Sequence, residues 1–156
     1  MFPIQCVSKN TDTKRNRFMA FRKKGLASYG EVSTQAGTAY ADSVQLIQML
    51  FDGLLDSLAA AEGQIERNEI QEKCNSLNRA TRILVGLQGS LDHEKGGDIA
   101  SNLADLYDYC IRRLMKANLK NDVAAIQEVK GLMAEIRDAW SQLPGLLQQQ
   151  AVNAVN

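Results

Sequence analysis

The chain has 156 residues, enough for one domain with a real core, and its 45% hydrophobic and 23% charged composition is that of an ordinary globular protein. Net charge is zero but unevenly spread: residues 1–24 hold seven Lys or Arg against Asp12 alone, a local +6, while the rest holds 11 basic and 17 acidic side chains, or −6. An acidic body argues against a nucleic-acid surface, because such surfaces work by neutralising phosphates.

Residues 1–24 are polar, basic and without periodicity, and they read as a disordered leader. Met19 offers an alternative start, which would place residues 1–18 outside the native chain. The leader lacks the apolar stretch of roughly 7–15 residues that marks a secretory signal. No run approaches the about 18 apolar residues of a membrane span. Cys6, Cys74 and Cys110 are an odd set without metal-type spacing. Cys74 and Cys110 fall on apolar helix faces, where buried reduced thiols are expected, and with them a reducing compartment. A cytoplasmic protein without membrane insertion follows.

The domain itself is expected over 25–143. From Ser28 to Thr38, Tyr29, Val32 and Ala36 recur at helical spacing, weakened by Gly30 and Gly37. This reads as a short helix or cap segment before a linker. Asp42 or Ser43 then offers a cap for a long helix carrying Ile47, Leu50, Phe51, Leu54, Leu58, Ala61 and Ile65 on one face. Arg67-Asn68-Glu69 interrupts the pattern. A second helix is predicted over 70–91, with Ile70, Cys74, Leu77, Thr81, Leu84 and Leu91 inward. The loop 92–97 ends in two glycines that permit a turn. A third helix, near 98–119, should bury Ile99, Leu103, Leu106, Tyr107, Cys110, Leu114 and Ala117. The fourth, about 122–142, presents Ile126, Val129, Met133, Ile136, Trp140 and Leu143, and residues 144–156 read as a flexible, Gln-rich tail. Short connections make neighbouring helices antiparallel, so the fold class is all-α: an up-down four-helix bundle with a short N-terminal helix or cap.

Counting removes most chemistry. One histidine leaves no His-rich metal site, and the Glu-x-x-His pairs of a di-iron bundle are absent. No phosphate-binding Gly-x-x-x-x-Gly-Lys-Ser/Thr occurs, and nothing positions a nucleophile. No catalytic residue, cofactor or metal is therefore expected. Four-helix bundles also serve as phosphorelay modules, and His93 is the one residue that keeps that alternative open. A phosphorelay histidine stands mid-helix with Lys three residues on and then Gly; here Lys95 comes one position early and the glycines place His93 in a turn.

Binding remains. Leu46 and Met49 lie roughly 100° to 160° from Ile47 around the first helix, and Gly53 and Ala60 share their face. That second face is apolar with low relief. On the next helix Ile83 and Leu87 broaden the apolar arc in the same way. Such a face needs a cover. The candidates are the Tyr29 segment folding back, an amphipathic partner helix, or an irregular core of the bundle itself.

The run Leu46-Ile47-Gln48-Met49-Leu50-Phe51-Asp52-Gly53-Leu54-Leu55 resembles the flagellar secretion chaperone FliS family. So do Ser90-Leu91-Asp92, the stretch Leu103-Ala104-Asp105-Leu106-Tyr107-Asp108-Tyr109, Arg112-Arg113-Leu114, Ala117-Asn118-Leu119-Lys120-Asn121-Asp122, and Glu135-Ile136-Arg137-Asp138-Ala139-Trp140. The likeness covers about residues 26–143, in one order. It departs where Asp42-Ser43 replaces the family's usual Ser-Pro or Thr-Pro, and in a start well upstream of the tyrosine. The resemblance implies a non-enzymatic cytoplasmic chaperone, monomeric or dimeric. Such a chaperone binds the disordered C-terminal region of flagellin, prevents premature polymerisation and delivers flagellin to the flagellar type III export gate. It implies Tyr29 as a cover of the groove; with the projection above, Leu46, Met49, Leu50, Gly53, Ile83 and Leu87 are the expected lining.

Overall fold

A computed structural model describes the backbone of residues 36–155. The leader, Met19 and the Tyr29 segment up to residue 35 lie outside the described residues. Every described element is a helix: α1 Ala36–Glu66, α2 Ile70–Gly89, α3 His93–Lys120, α4 Val123–Ser141 and α5 Leu143–Val155. The chain divides into two units at Gln45 and Leu46, and the bundle is the second, Leu46–Asn156.

The core forms where the apolar stripes meet. Phe51, Leu54, Leu58 and Ala61 of α1 pack with Leu77, Ala80, Leu84 and Leu87 of α2, Tyr107, Cys110, Leu114 and Ala117 of α3, and Ala125, Ile126, Val129 and Met133 of α4. Each large side chain removed from water contributes roughly 1.5–3 kcal/mol. Cross-links fix the register. Glu62 pairs with Lys130, and Asp52 with Arg137 at 3.7 Å, so α1 and α4 run antiparallel. Gln88 Nε2 donates to the Ala104 carbonyl at 3.2 Å, and Glu128 of α4 accepts from Arg113 Nε at 2.9 Å. These surface pairs add little energy; they report which helices are neighbours. The expected up-down bundle is what the chain forms.

Turn chemistry explains the boundaries. Asn68 takes φ 57° between α1 and α2, and Asn121 takes φ 52° after α3, the left-handed region that Asn tolerates better than most side chains. Asp92 accepts from the Glu94 and Lys95 N–H groups at 3.1 and 3.0 Å, and Asp122 from Ala125 N–H at 3.2 Å, each satisfying orphan donors of a first turn.

The elements differ from the sequence reading at four places. Asp42 and Ser43 lie inside α1 instead of at its start, because the helix begins at Ala36 and Gly37 only costs about 1 kcal/mol of propensity. The segment read as a loop from Asp92 opens α3 instead: Asp92 caps a first turn, and Gly97, at φ 50° and ψ −128°, kinks the helix in a conformation L side chains avoid. Leu143–Val155 form α5 in the stretch read as a loose tail, since Pro144 sits in the first turn, where its missing N–H is harmless. Ile70 and Ile99, each near a helix start, are 59% and 72% exposed rather than inward. Cys110 is a buried free thiol, its pKa pushed up to about 11 by burial.

The stretch Asp42–Glu66 is also long and apolar enough, by length and composition, to cross a membrane. Its apolarity has another use here. Phe51, Leu54, Leu58 and Ala61 are buried in the bundle core, while Asp52 and Asp56 stand exposed on the same helix.

One buried cation ties two helices together. Lys73 on α2 is 4% exposed, and its Nζ donates to the Asn118 carbonyl at 2.9 Å and to Asn121 Oδ1 at 2.6 Å. The ammonium therefore stands at the C-terminus of α3, where orphan carbonyls and the helix dipole favour positive charge. Burial lowers its pKa. Lys73→Met keeps the aliphatic stem but leaves both acceptors without this donor, and the urea unfolding midpoint should fall by the equivalent of roughly 1.5–3 kcal/mol. An unchanged midpoint would mean that water replaces the ammonium there at no cost.

Candidate binding face

Three residues of α1 and three of α2 form two facing stripes. At about 100° per residue, Leu46, Leu50 and Gly53 fall within about 60° of one another around α1. Arg79, Ile83 and Gly86 do the same on α2. The stripes face each other at Gly53: a Cβ built on it would lie 3.7 Å from both Ile83 Cδ1 and Arg79 Nη2. That is ordinary van der Waals contact, so Gly53 keeps the floor low without being forced by crowding. Gly86 meets nothing within 4 Å. Ser57, the next residue along the α1 stripe, turns its hydroxyl inward and donates to the Gly53 carbonyl at 2.6 Å.

The exposures separate the expected lining residues. Leu46 and Met49 are 43% and 63% exposed, the two large apolar side chains of the described part of α1 that reach solvent in this way. Leu50 and Ile83 are half-buried and pack against the core with one side. Gly53 is intermediate. Leu87 is 2% exposed and belongs to the core. It sits about 40° further round α2 than Ile83, which is enough to turn it inward, so it lines no accessible surface. Tyr29 lies outside the described residues.

Sequence reading passed over two features. Arg79 crosses toward α1 at the level of Gly53, a position no periodicity of apolar residues would select. Met115 and Leu119, 60% and 63% exposed, form a second apolar strip on the flank of α3 beside half-buried Ile111. Their spacing of four residues was the available signal, but it was masked by the stronger central stripe of the same helix.

His93 is the first residue of α3 and is exposed. Asp92 caps the turn it begins. It thus stands at a helix N-terminus and not mid-helix, where a phosphorelay histidine is placed.

The family described as Flagellar protein FliS matches residues 25–146. The chain belongs to the FliS family. The flagellar secretion chaperone FliS of Salmonella typhimurium is 44% identical over 124 residues, covering 79% of this chain and 92% of that protein. FliS of Escherichia coli is 40% identical over 132 residues, covering 82% and 97%. FliSB of Pseudomonas aeruginosa is 40% identical over 120 residues, covering 77% and 95%. The FliS match spans α1 to α4 and both stripes of the α1–α2 face, whereas residues 1–24, with their +6 charge, and most of α5 fall outside it.

Proposed function

We propose that this FliS-family chain is a cytoplasmic, non-enzymatic export chaperone. In this reading it holds the C-terminal region of unpolymerised flagellin and presents it to the flagellar type III export gate. The observation that carries the reading is the low-relief apolar face of Leu46, Met49, Leu50, Gly53 and Ile83, left accessible on a chain of a flagellar secretion chaperone family. A helical client segment laid in such a face buries its own apolar stripe, and that burial offsets the few kcal/mol of ordering a disordered chain. Tyr29 and its neighbours are the cover that the client displaces.

Co-purification with full-length flagellin, and with flagellin lacking its C-terminal segment, tests the client. Only the full-length protein should be retained, and equal retention of both would sink the claim. Deleting residues 1–35 should tighten binding if the Tyr29 segment competes for the face; weaker binding would make that segment part of the contact.

A further inference from the structure

The α1–α2 face is not uniformly apolar. At one end stand Leu46, Met49 and Leu50; at the other, one to two helical turns away, the Arg79 guanidinium lies beside Gly53. With a rise of about 1.5 Å per residue, Leu46 and Gly53 are about 10 Å apart along the helix. The other arginines at helix contacts are engaged: Arg113 with Glu128, Arg137 with Asp52 and Asp138. Arg79 is exposed and has no ion pair or side-chain hydrogen-bond partner among the described residues. A guanidinium held over the apolar floor of a groove is tolerable while water reaches it. Once a partner covers the groove, that charge loses water, and covering it without an anion costs several kcal/mol.

We propose that Arg79 is a carboxylate receptor: the segment that docks between α1 and α2 carries an Asp or Glu side chain that pairs with Arg79 while its apolar residues cover Leu46, Met49 and Leu50. The proposal rests on the reading that the client occupies this face and adds what the client must carry there. The planar guanidinium presents paired N–H donors that match the two oxygens of a carboxylate. Spacing then sets the ligand pattern. The acid stands about four to seven residues from the apolar anchors of the docked helix, on the same side of it. An apolar helix lacking that acid is rejected, because it would bury the guanidinium unpaired.

The probe is the C-terminal segment of flagellin, titrated against the full chain by calorimetry, with each Asp and Glu of the segment replaced singly by its amide. Arg79→Gln should weaken binding roughly tenfold to hundredfold, Arg79→Lys less, and added salt should weaken the wild type more than Arg79→Gln. One acid-to-amide change in the segment should weaken binding to the wild type and have no further effect on Arg79→Gln, the signature of a coupled pair. If Arg79→Gln binds as tightly as wild type while Met49→Asp binds weakly, the receptor is wrong and the docking face stands. If neither substitution matters, the face itself is wrong. If Arg79→Gln weakens binding but no single acid is coupled to it, the carboxylate pairing is overturned.

Discussion

Phe51→Ala should cost the bundle about 3–5 kcal/mol, read as a drop in the urea midpoint with little change in slope. Phe51 is the largest fully buried side chain of the core, 1% exposed, and it stands on α1 between Leu54 and Ile47 where stripes from all four bundle helices converge. The loss combines the transfer term of the removed ring with a cavity that close-packed neighbours fill only in part. Domains of this size have only about 5–15 kcal/mol of stability, so the variant should stand near its unfolding threshold. A loss below about 1.5 kcal/mol would mean that the neighbours collapse into the space, and that the α1 stripe is not the centre of the core. Leu58→Ala, two stripe positions further along α1, provides the internal comparison, expected at about 2–5 kcal/mol.

The fold was largely legible because helices announce themselves twice. Apolar residues at intervals of three and four give the stripes, and Asp92, Asp122, Asn68 and Asn121 punctuate them with caps and turns. What periodicity locates poorly is the end of a helix. Asp42 has the chemistry of a cap, but nothing upstream forbids the helix from continuing to Ala36. The same holds for Ile70 and Ile99. Ile70 opens α2 and Ile99 follows the Gly97 kink of α3, so each shares the angular position of its stripe while its side chain ends in water.

The candidate face was legible in part for a related reason. An angular projection finds residues off the central stripe but does not know how wide the neighbouring helix is. Leu46 and Met49 project clear of α2 and stay exposed, whereas Leu87, also read as flank, is covered. Arg79 was invisible because its importance lies across the helix boundary, at the Gly53 backbone, and not in any pattern along α2. A long flexible side chain acquires meaning only once the facing helix has been placed.

Met49→Asp should separate binding from folding more cleanly than any change in the core. The side chain is 63% exposed, so replacing it removes little buried area and should change stability by less than about 1 kcal/mol. Binding should respond far more strongly. A client helix that covers Met49 would have to bury an unpaired carboxylate at the apolar end of the face, opposite the end where Arg79 accepts one. A loss of about a hundredfold in affinity for the flagellin segment is expected, in the range of a central contact residue. Gly53→Ala is the companion test. Its Cβ would make only ordinary contacts with Ile83 and Arg79 at 3.7 Å, and it removes an interior helix glycine, so thermal stability should rise by about 0.5–1 kcal/mol. Gly53→Leu keeps that helix advantage but stands up from the floor, and should lower affinity while leaving the bundle folded. Undiminished binding by both Met49→Asp and Gly53→Leu would move the client off this face. Weak binding by both, with melting curves no lower than wild type, would identify a surface whose apolar character serves a partner and not the core.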